Sequence, residues 1–407
     1  MHICHVITRL IVGGAQENTI LTCEGLHARG HRVTLISGPT RGPEGSLVER
    51  VRRGGYQFIE LPELIRAVNP WMDTRARRYL RMEFHRLRPD VVHTHSSKAG
   101  ILGRLAAADA RVPIIVHTIH GMSFNRTQPW ALRRLYAFLE WLAARRSHAL
   151  VAVADALVEQ TVAAGIAPRD KLLTIYSGME VELFTPSAQL RQQTRHQWGV
   201  ADDEVVVGTC ARLFRRKGYE QLIPIMARVV PQVPRLRFVW IGDGAQRSEY
   251  QAELRRLGLA ARTILTGLVP PAEVPRLLAG CDILAHTSQW EGLPRVAVQA
   301  LLMQVPVVAF DIDGTPEVVI DGGTGRLVPL NDLDSFAAAL CELSADPDRR
   351  RRLGQAGRQH CLERFDGRHM VDQIEALYER LAAQQAGGIL SATPPAEARD
   401  SSDICRR

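Results

Sequence analysis

The sequence lacks the features that would place the chain across a membrane or send it out of the cell. No stretch approaches the ~20 consecutive apolar residues that a transmembrane helix needs, although apolar residues make up 46% of the chain. The first residues enter a strand pattern directly, without the charged region and cleavage site of a signal peptide. We therefore expect a cytoplasmic protein.

Cysteines are few, and they form no metal-binding or redox motif. Seven are scattered along the 407 residues, and none belongs to a Cys-x-x-Cys pair. This spacing indicates buried free thiols in a reducing compartment rather than a disulfide framework.

The charge is unevenly distributed along a chain that is long enough for two domains. Up to Thr185 there are 24 Lys and Arg against 16 Asp and Glu, a net charge of +8, whereas the remainder has 27 of each. This excess predicts an acidic partner for the first half (anionic lipid, lipid-linked phosphate or nucleic acid), unless it only reflects an arginine-rich proteome. Nucleic acid is disfavoured, because no zinc-finger, RNP-like or basic-heptad pattern is present.

Short apolar strands alternate with helices in both halves, which predicts an α/β fold with two Rossmann-like, doubly wound parallel sheets facing a central cleft. Residues 1–185 form the first predicted domain and 200–365 the second, with a polar, proline-containing linker between them. An amphipathic helix is expected over 366–385, and a disordered tail rich in Ala, Pro, Ser and Asp over 387–407. Because ligands of open parallel sheets bind at the carboxyl ends of the strands, the cleft is the expected site.

The segment from Gln289 to Met303 predicts a tight loop that opens into a buried helix. Gly292 frees the backbone to bend, and Pro294 suits a first helical turn, where its missing N–H would be unpaired. The free N–H groups and the helix dipole at such a terminus form a phosphate site. Glu291 would then lie beside the group that the phosphate carries, although the segment alone also fits a solvated Glu before an ordinary helix.

Two cations and two glycine turns are expected near the same cleft. Arg212 and Lys217 follow the first predicted strand of the second domain, where they can clamp a diphosphate and stabilise the charge that develops as it leaves. A basic surface loop is the alternative. The turns at Gly13-Gly14 and at Gly242 would let backbone approach a ligand, but neither matches Gly-x-Gly-x-x-Gly, so a dinucleotide fingerprint is not supported.

Two histidine pairs, His93/His95 and His117/His120, each resemble part of a metal-binding site. Strand alternation places His93 and His95 on one face, but no third ligand at metal spacing accompanies either pair, so no metal is expected. His120 ends a predicted strand in the cleft, where a polar or catalytic contact is expected.

Two further segments each have two interpretations. The sequence 311–313 (Asp-Ile-Asp) has a form that holds divalent ions elsewhere, and we interpret it as turn chemistry. The segment 129–141 mixes aromatic residues with arginines, which fits either an interfacial membrane helix or a core helix with one basic face.

In their order and spacing these motifs resemble the group 1 (family 4) retaining glycosyltransferases of the GT-B fold, over residues 1–385. The segments that carry the resemblance are 13–15, 91–100 (VVHTHSSKAG), 117–121 (HTIHG), Arg212 with Lys217, 242–244, the Glu291 loop, 314–317 (GTPE) and 322–325 (GGTG). The HTHSSK stretch is similar to that of bacterial members acting on polysaccharide or lipid-linked glycan precursors.

The resemblance implies a UDP- or GDP-linked sugar held mainly by the second domain and a glycan or lipid-linked acceptor held by the first. It implies that Arg212 and Lys217 bind the diphosphate, that Glu291 contacts the donor sugar, and that His120 is the cleft histidine of the family. The donor-binding positions that it implies are Gly13, Gly14, Gly242, Gly292, Leu293, Pro294, Arg295 and Gln299.

Gln299 departs from the family, whose motif has a second Glu that usually binds the ribose hydroxyls. An amide also accepts and donates hydrogen bonds, so donor binding is expected to survive. The family needs no metal or cofactor, and the leaving phosphate itself takes the acceptor proton during front-face attack. The protein then supplies positioning and charge stabilisation. The basic first domain is expected at the inner face of the cytoplasmic membrane.

Two other functions remain open from the residues. A UDP-sugar epimerase would share the fold but act without an acceptor, and it should not combine the Glu291 loop with Arg212 and Lys217. A non-catalytic nucleotide-sugar binding protein is suggested by Gln299. Turnover of the donor separates the three.

Overall fold

The computed structural model describes residues 1–40, 42, 45–124 and 128–390, with side chains up to residue 386. It contains two separate parallel sheets, which confirms the predicted α/β class and the doubly wound architecture. The six described cysteines are free, as predicted, and four of them are buried. No helix in these ranges is both long enough and apolar enough to cross a membrane.

The first sheet has seven strands in the order β3-β2-β1-β4-β5-β6-β7. Its central strands β1 and β4 are buried along their whole length because helices cover both faces. The elements in chain order are β1 (His2–Ile7), α1 (Gly14–Ala28), β2 (Arg32–Ser37), α2 (Val48–Arg53), β3 (Gln57–Glu60), α3 (Pro70–Leu87), β4 (Val91–His95), α4 (Ser97–Asp109), β5 (Ile114–Ile119), α5 (Trp130–Ala144), β6 (Ala149–Ala152), α6 (Asp155–Ala163) and β7 (Leu172–Thr174).

The second sheet has six strands in the order β10-β9-β8-β11-β12-β13. A helix precedes it, and two helices follow it before the last helix of the chain. The elements are α7 (Ala188–Trp198), β8 (Val205–Cys210), α8 (Tyr219–Val229), β9 (Leu236–Ile241), α9 (Arg247–Arg256), β10 (Thr263–Gly267), α10 (Val274–Ala279), β11 (Ile283–His286), α11 (Arg295–Leu302), β12 (Val307–Asp311), β13 (Gly325–Pro329), α12 (Leu333–Ala345), α13 (Pro347–Arg364) and α14 (Gly367–Leu390).

The strand order reverses between β1 and β4 in the first sheet and between β8 and β11 in the second. At such a switch point successive loops leave toward opposite faces of the sheet and open a crevice at the carboxyl ends of the strands. Lys217 follows β8, and Glu291 follows β11. The topology therefore places both residues at the crevice of the second sheet.

Most of the predicted linker between the domains is the helix α7. Ser187 caps its N-terminus by accepting a hydrogen bond from the Leu190 N–H, and Gly199 ends it in the left-handed conformation. The buried Arg195 guanidinium donates to Asp282 at 3.0 Å, which fixes α7 on the second domain. The polar composition suggested a loop, but two caps and this buried ion pair stabilise a helix.

The last helix, α14, packs against the first domain. Val371 lies against Gly25 of α1, and the Tyr378 hydroxyl is 2.5 Å from His93 Nδ1 in the first sheet. The helix continues to Leu390, beyond its predicted end at 385 and into the predicted tail, although Gly387 and Gly388 have low helix propensity. The rest of the predicted disordered tail, 391–407, lies outside the described residues.

Candidate active site

The Glu291 carboxylate lies in the loop between β11 and α11. Its Oε1 accepts a hydrogen bond from Lys217 Nζ at 2.7 Å, and the side chain is 15% exposed. Burial alone would raise the pKa of Glu291, but Lys217, His286 and Ser288 hold that pKa below its ordinary value. Glu291 is therefore an ionised carboxylate at neutral pH, and the structure brings two of the predicted site residues into direct contact.

His286, the last residue of β11, adds an uncharged imidazole to this pair. Its Nε2 lies 3.6 Å from Glu291 Oε1, too far for a hydrogen bond. Burial lowers the pKa of His286 to about 4 despite the neighbouring carboxylate. His286 was not predicted as a site residue, and its position at the end of a strand was the one signal that could have indicated it.

The loops that carry Lys217 and Glu291 are bonded to each other. Thr287 Oγ1 donates to the Gly218 carbonyl at 2.9 Å, and the Gln289 N–H donates to the Arg216 carbonyl at 3.1 Å. Gly218 has a φ of +81°, and a Cβ there would lie 1.7 Å from the Thr287 carbonyl oxygen. The 2.7 Å ion pair is thus built on a rigid backbone frame.

Gly292 places the start of α11 against the first domain. A Cβ at this position would lie 2.0 Å from the carbonyl oxygen of His120, so the close approach requires glycine. Helix α11 begins at Arg295, which makes Pro294 its cap residue rather than part of its first turn. The predicted phosphate loop and the predicted cleft histidine therefore meet across the domain interface.

Asp313 holds the Glu291 loop in place. It lies in a turn, as predicted, with a φ of +43°. One carboxylate oxygen accepts the Glu291 backbone N–H at 2.8 Å, and the other accepts Gln160 Nε2 of the first domain, also at 2.8 Å. The Asp-Gly sequence signalled the turn, but nothing in it showed that the side chain would bridge the domains.

Arg295 uses its guanidinium to bridge the domains. It donates to Ser177 Oγ and to the Gly178 carbonyl, both at 2.9 Å, and pairs with Glu17 of α1 at 3.0 Å. A Cβ on Gly14 would lie 2.5 Å from Arg295 Cδ. Gly14, predicted to admit a ligand, thus makes room for the Arg295 side chain in this structure.

Glu317 makes a second contact between the domains. Its carboxylate accepts the backbone N–H groups of Asp155 and Ala156 at 2.7 and 2.9 Å. These are the first two residues of α6, so a side chain of the second domain satisfies the N-terminus of a helix in the first. The GTPE segment carried the resemblance, but this role was not predicted.

The remaining predicted positions are spread around this centre. Arg212 is exposed and follows β8, and a Cβ on Gly242 would lie 2.3 Å from the preceding Ala211 carbonyl, so the Gly242 turn packs directly on the Arg212 segment. Leu293 is buried in the core, and Gln299 is partly exposed in the middle of α11. Gly13 precedes α1 in extended conformation.

His120 contacts a cluster of buried histidines in the first sheet. Its Nε2 lies 3.1 Å from His95 Nδ1, and burial together with the Arg295 charge lowers the pKa of His120 to about 3. His5 lies beside His93 and His95, and one ring nitrogen from each lies within 4.8 Å of the others. The expectation that no third potential ligand accompanies His93 and His95 is therefore wrong, because β1 and β4 are adjacent in the sheet and bring His5 alongside.

Two family descriptions together match most of the chain. Glycosyltransferase Family 4 matches residues 12–183, and Glycosyl transferases group 1 matches residues 191–360. A D-inositol 3-phosphate glycosyltransferase of Corynebacterium diphtheriae is 30% identical over 90% of this chain and 89% of its own length. A UDP-Gal:alpha-D-GlcNAc-diphosphoundecaprenol alpha-1,3-galactosyltransferase of Escherichia coli is 27% identical over 84% and 88%.

Solved structures show the same fold. HepE of Anabaena, in complex with UDP and glucose, superposes with a TM-score of 0.82 at 22% identity, over 93% of this chain and all of HepE. WaaG, a glycosyltransferase involved in lipopolysaccharide biosynthesis, has a TM-score of 0.73 at 14% identity, over 92% and 99%. The chain therefore belongs to the group 1, family 4 glycosyltransferases and is a retaining glycosyltransferase of the GT-B fold.

Proposed function

We propose that this enzyme transfers a hexosyl unit from a UDP- or GDP-linked sugar to a glycan or lipid-linked acceptor, in polysaccharide or cell-envelope biosynthesis. The observation that carries the proposal is the Lys217–Glu291 pair at the domain interface, with His120 across the Gly292 contact. A cation for the departing diphosphate and a carboxylate for the sugar are what transfer from a nucleotide sugar requires on its donor side.

The site residues divide the work on the donor. Lys217 and Arg212 bind the diphosphate, and the backbone N–H groups of Gly292, Leu293 and Arg295, at the positive end of the α11 dipole, face the phosphate. Glu291 orients the sugar and stabilises the positive charge that develops on it. Gln299 bonds the ribose hydroxyls, and the glycine turns at Gly13-Gly14 and Gly242 border the donor.

The transfer step needs no protein base. The bond from the sugar C1 to the phosphate oxygen breaks as the acceptor oxygen bonds to C1 on the same face, and the acceptor proton passes to the leaving phosphate. The protein holds the acceptor and the leaving phosphate on the same face of the sugar and stabilises the charge on the diphosphate. The carboxylate of Glu291, ionised beside Lys217, stays a carboxylate throughout.

A lipid-linked acceptor is supported by the surface of the first domain. Of the two interpretations of the aromatic-basic segment, the structure favours the interfacial one: Trp130 is 75% exposed on α5, and Leu135 and Phe138 are also exposed. Trp71 of α3 is exposed as well, with the Arg75 guanidinium 4.6 Å above its ring. Exposed aromatic rings with arginines suit the boundary of an anionic bilayer, so we place the enzyme at the inner face of the cytoplasmic membrane.

A cavity in the first domain supports acceptor binding near the reaction centre. It has a volume of about 130 Å³ and is lined by residues that include Ser96, Ser97, Thr118 and His120. Hydroxyl and imidazole groups of this kind suit the hydroxyls of a sugar. The E. coli relative, whose name specifies a diphosphoundecaprenol-linked sugar as acceptor, supports the same class of substrate.

The test is release of nucleoside diphosphate from a panel of UDP- and GDP-sugars, with and without a membrane lipid extract. Acceptor-dependent release from one donor is the expected result. Release of an altered sugar nucleotide without an acceptor would identify an epimerase instead. Binding of a sugar nucleotide without any release, across the panel and the extract, would identify a binding protein.

A further inference from the structure

A chain of three imidazoles runs from the cleft into the centre of the first sheet. His120 Nε2 lies 3.1 Å from His95 Nδ1, and His95 Nε2 lies 3.0 Å from His5 Nδ1. His95 and His5 are completely buried, whereas His120 is partly exposed. A residue of the proposed site is thus hydrogen-bonded, directly and through His95, to completely buried residues of the first sheet.

These imidazoles are neutral at physiological pH. Burial lowers the pKa of His5 and of His120 to about 3, and that of His95 lies well below its ordinary value for the same reason. A neutral imidazole has one N–H donor and one acceptor nitrogen. The tautomer of each ring therefore dictates that of the next, and the whole chain has only two arrangements.

His5, at the buried end of the three imidazoles, determines which of the two tautomer arrangements forms. His5 Nε2 is buried and has no hydrogen-bond partner among the described residues. An unpaired buried N–H donor is rarer in folded proteins than an unpaired acceptor, so Nε2 is the bare nitrogen and Nδ1 carries the hydrogen. His5 then donates to His95, His95 donates to His120 Nε2, and the hydrogen of His120 lies on Nδ1.

His93 holds the His95 ring in place without being one of the three hydrogen-bonded imidazoles. Its ring stacks on that of His95, with centroids 4.4 Å apart, and its nitrogens lie 2.5 Å from the Tyr378 hydroxyl and 2.7 Å from Thr118 Oγ1. Both nitrogens of His93 and both of His95 are thus engaged in hydrogen bonds. This engagement and the stacked rings favour a hydrogen-bonded chain over a metal site at His5, His93 and His95, whose ring nitrogens would have to converge on one ion.

We propose that His95 and His5 are positioning residues that fix His120 in the tautomer with its hydrogen on Nδ1, so that His120 presents an N–H donor to an oxygen of the donor sugar. The contact with the sugar rests on the proposed function. The tautomer itself does not, because it follows from contacts within the first domain. His95 and His5 act on His120 as the orienting member of a catalytic triad acts on its histidine.

The test is an NMR measurement of the ring nitrogens in protein labelled with ¹⁵N-histidine, with the signals of His120 assigned from their loss in His120→Asn. In the wild-type protein the hydrogen of His120 should lie on Nδ1. His95→Phe keeps the ring but removes both hydrogen bonds, and His5→Phe removes the inner one, so each should mix the two tautomers. His2→Phe is the matched control. His2 is a buried histidine of β1, like His5, but its ring bonds to Leu87 and Thr34. The His2→Phe variant should therefore leave the tautomer of His120 unchanged.

Turnover adds a second readout. His95→Phe should lower kcat by about tenfold or more, and His95→Asn should recover most of it, because its amide can donate an N–H to His120 Nε2. A hydrogen on Nε2 of wild-type His120, or an unchanged tautomer in both His95→Phe and His5→Phe, would overturn the proposal. The wild-type spectrum decides this even if a variant fails to fold, and absence of nucleoside diphosphate release by the wild-type enzyme would count against the proposed function alone.

Discussion

Replacing Lys217 with methionine removes the charge at the centre of the proposed site while keeping the length of the side chain. Lys217 Nζ is 2.7 Å from a Glu291 carboxylate whose side chain is only 15% exposed, so solvent compensates little for the loss. The variant also loses the cation for the departing diphosphate. Removal of one preorganised charge contact of this kind lowers kcat/KM by about 100-fold, or ~3 kcal/mol of transition-state stabilisation.

The same variant has a predictable pH dependence. Lys217 helps to hold the pKa of Glu291 below its ordinary value against the effect of burial, so without Lys217 that pKa rises. A carboxylate with a lowered folded-state pKa stabilises the fold above its unfolded pKa, and this stability is lost as the pH falls through the folded pKa. In Lys217→Met the stability that ionised Glu291 contributes above its unfolded pKa should therefore shrink, and the acid limb of kcat/KM should move to higher pH.

The assay is release of nucleoside diphosphate from the preferred donor, measured from neutral to acidic pH alongside thermal unfolding. Arg215→Met is the matched control, since Arg215 lies in the same loop but is exposed and pairs with Glu249 at the surface. Near-normal transfer by Lys217→Met, or an equal loss in Arg215→Met, would refute the assignment of Lys217 to the donor.

Three further predictions follow from other parts of the molecule. Gln299→Leu should raise the KM for the donor about tenfold with little change in kcat. Gln299→Glu should also change mainly the KM, by a factor that corresponds to ~1–2 kcal/mol of donor-binding free energy in either direction. An activity that appears only in Gln299→Glu would contradict the enzyme assignment. Trp130→Ala combined with Phe138→Ala should weaken co-sedimentation with anionic vesicles, whose binding to the wild-type enzyme should also fall with salt; indifference of the wild-type protein to lipid charge and salt would refute membrane docking. Glu317→Ala should raise the KM for donor and acceptor together, because the cap on α6 between the domains is lost, and Glu317→Gln should be milder; an unchanged KM for both would show that this contact does not position the domains for substrate binding.

The fold was predictable because its information is local. Alternating apolar strands and helices indicated two parallel sheets, and residues that follow a strand, such as Lys217 after β8, lie at its carboxyl end whatever the details of packing. The helix α7 was missed for the opposite reason. Its stability comes from Ser187, Gly199 and the ion pair of Arg195 with Asp282, a residue 87 positions away, and a polar run does not reveal such a partner.

The site was predictable only where a motif marks it. Glu291, Lys217 and His120 stand next to turn glycines or strand ends, and the structure brings them together. Asp313 and Glu317 could not be assigned roles, because each accepts hydrogen bonds from backbone N–H groups of another segment. Every residue type except proline has such an N–H, so the sequence does not indicate which one is the partner. His5 was not connected with His95 for a related reason, since the pairing of β1 with β4 joins residues 90 positions apart.

The most direct test of the proposed transfer is an NMR analysis of the product formed from the preferred nucleotide sugar and its acceptor. We predict one nucleoside diphosphate released for each sugar transferred, a new bond from the sugar C1 to an acceptor oxygen, and the anomeric configuration of the donor retained in the product. An inverted anomeric configuration, or an altered sugar released without any bond to an acceptor, would contradict this prediction.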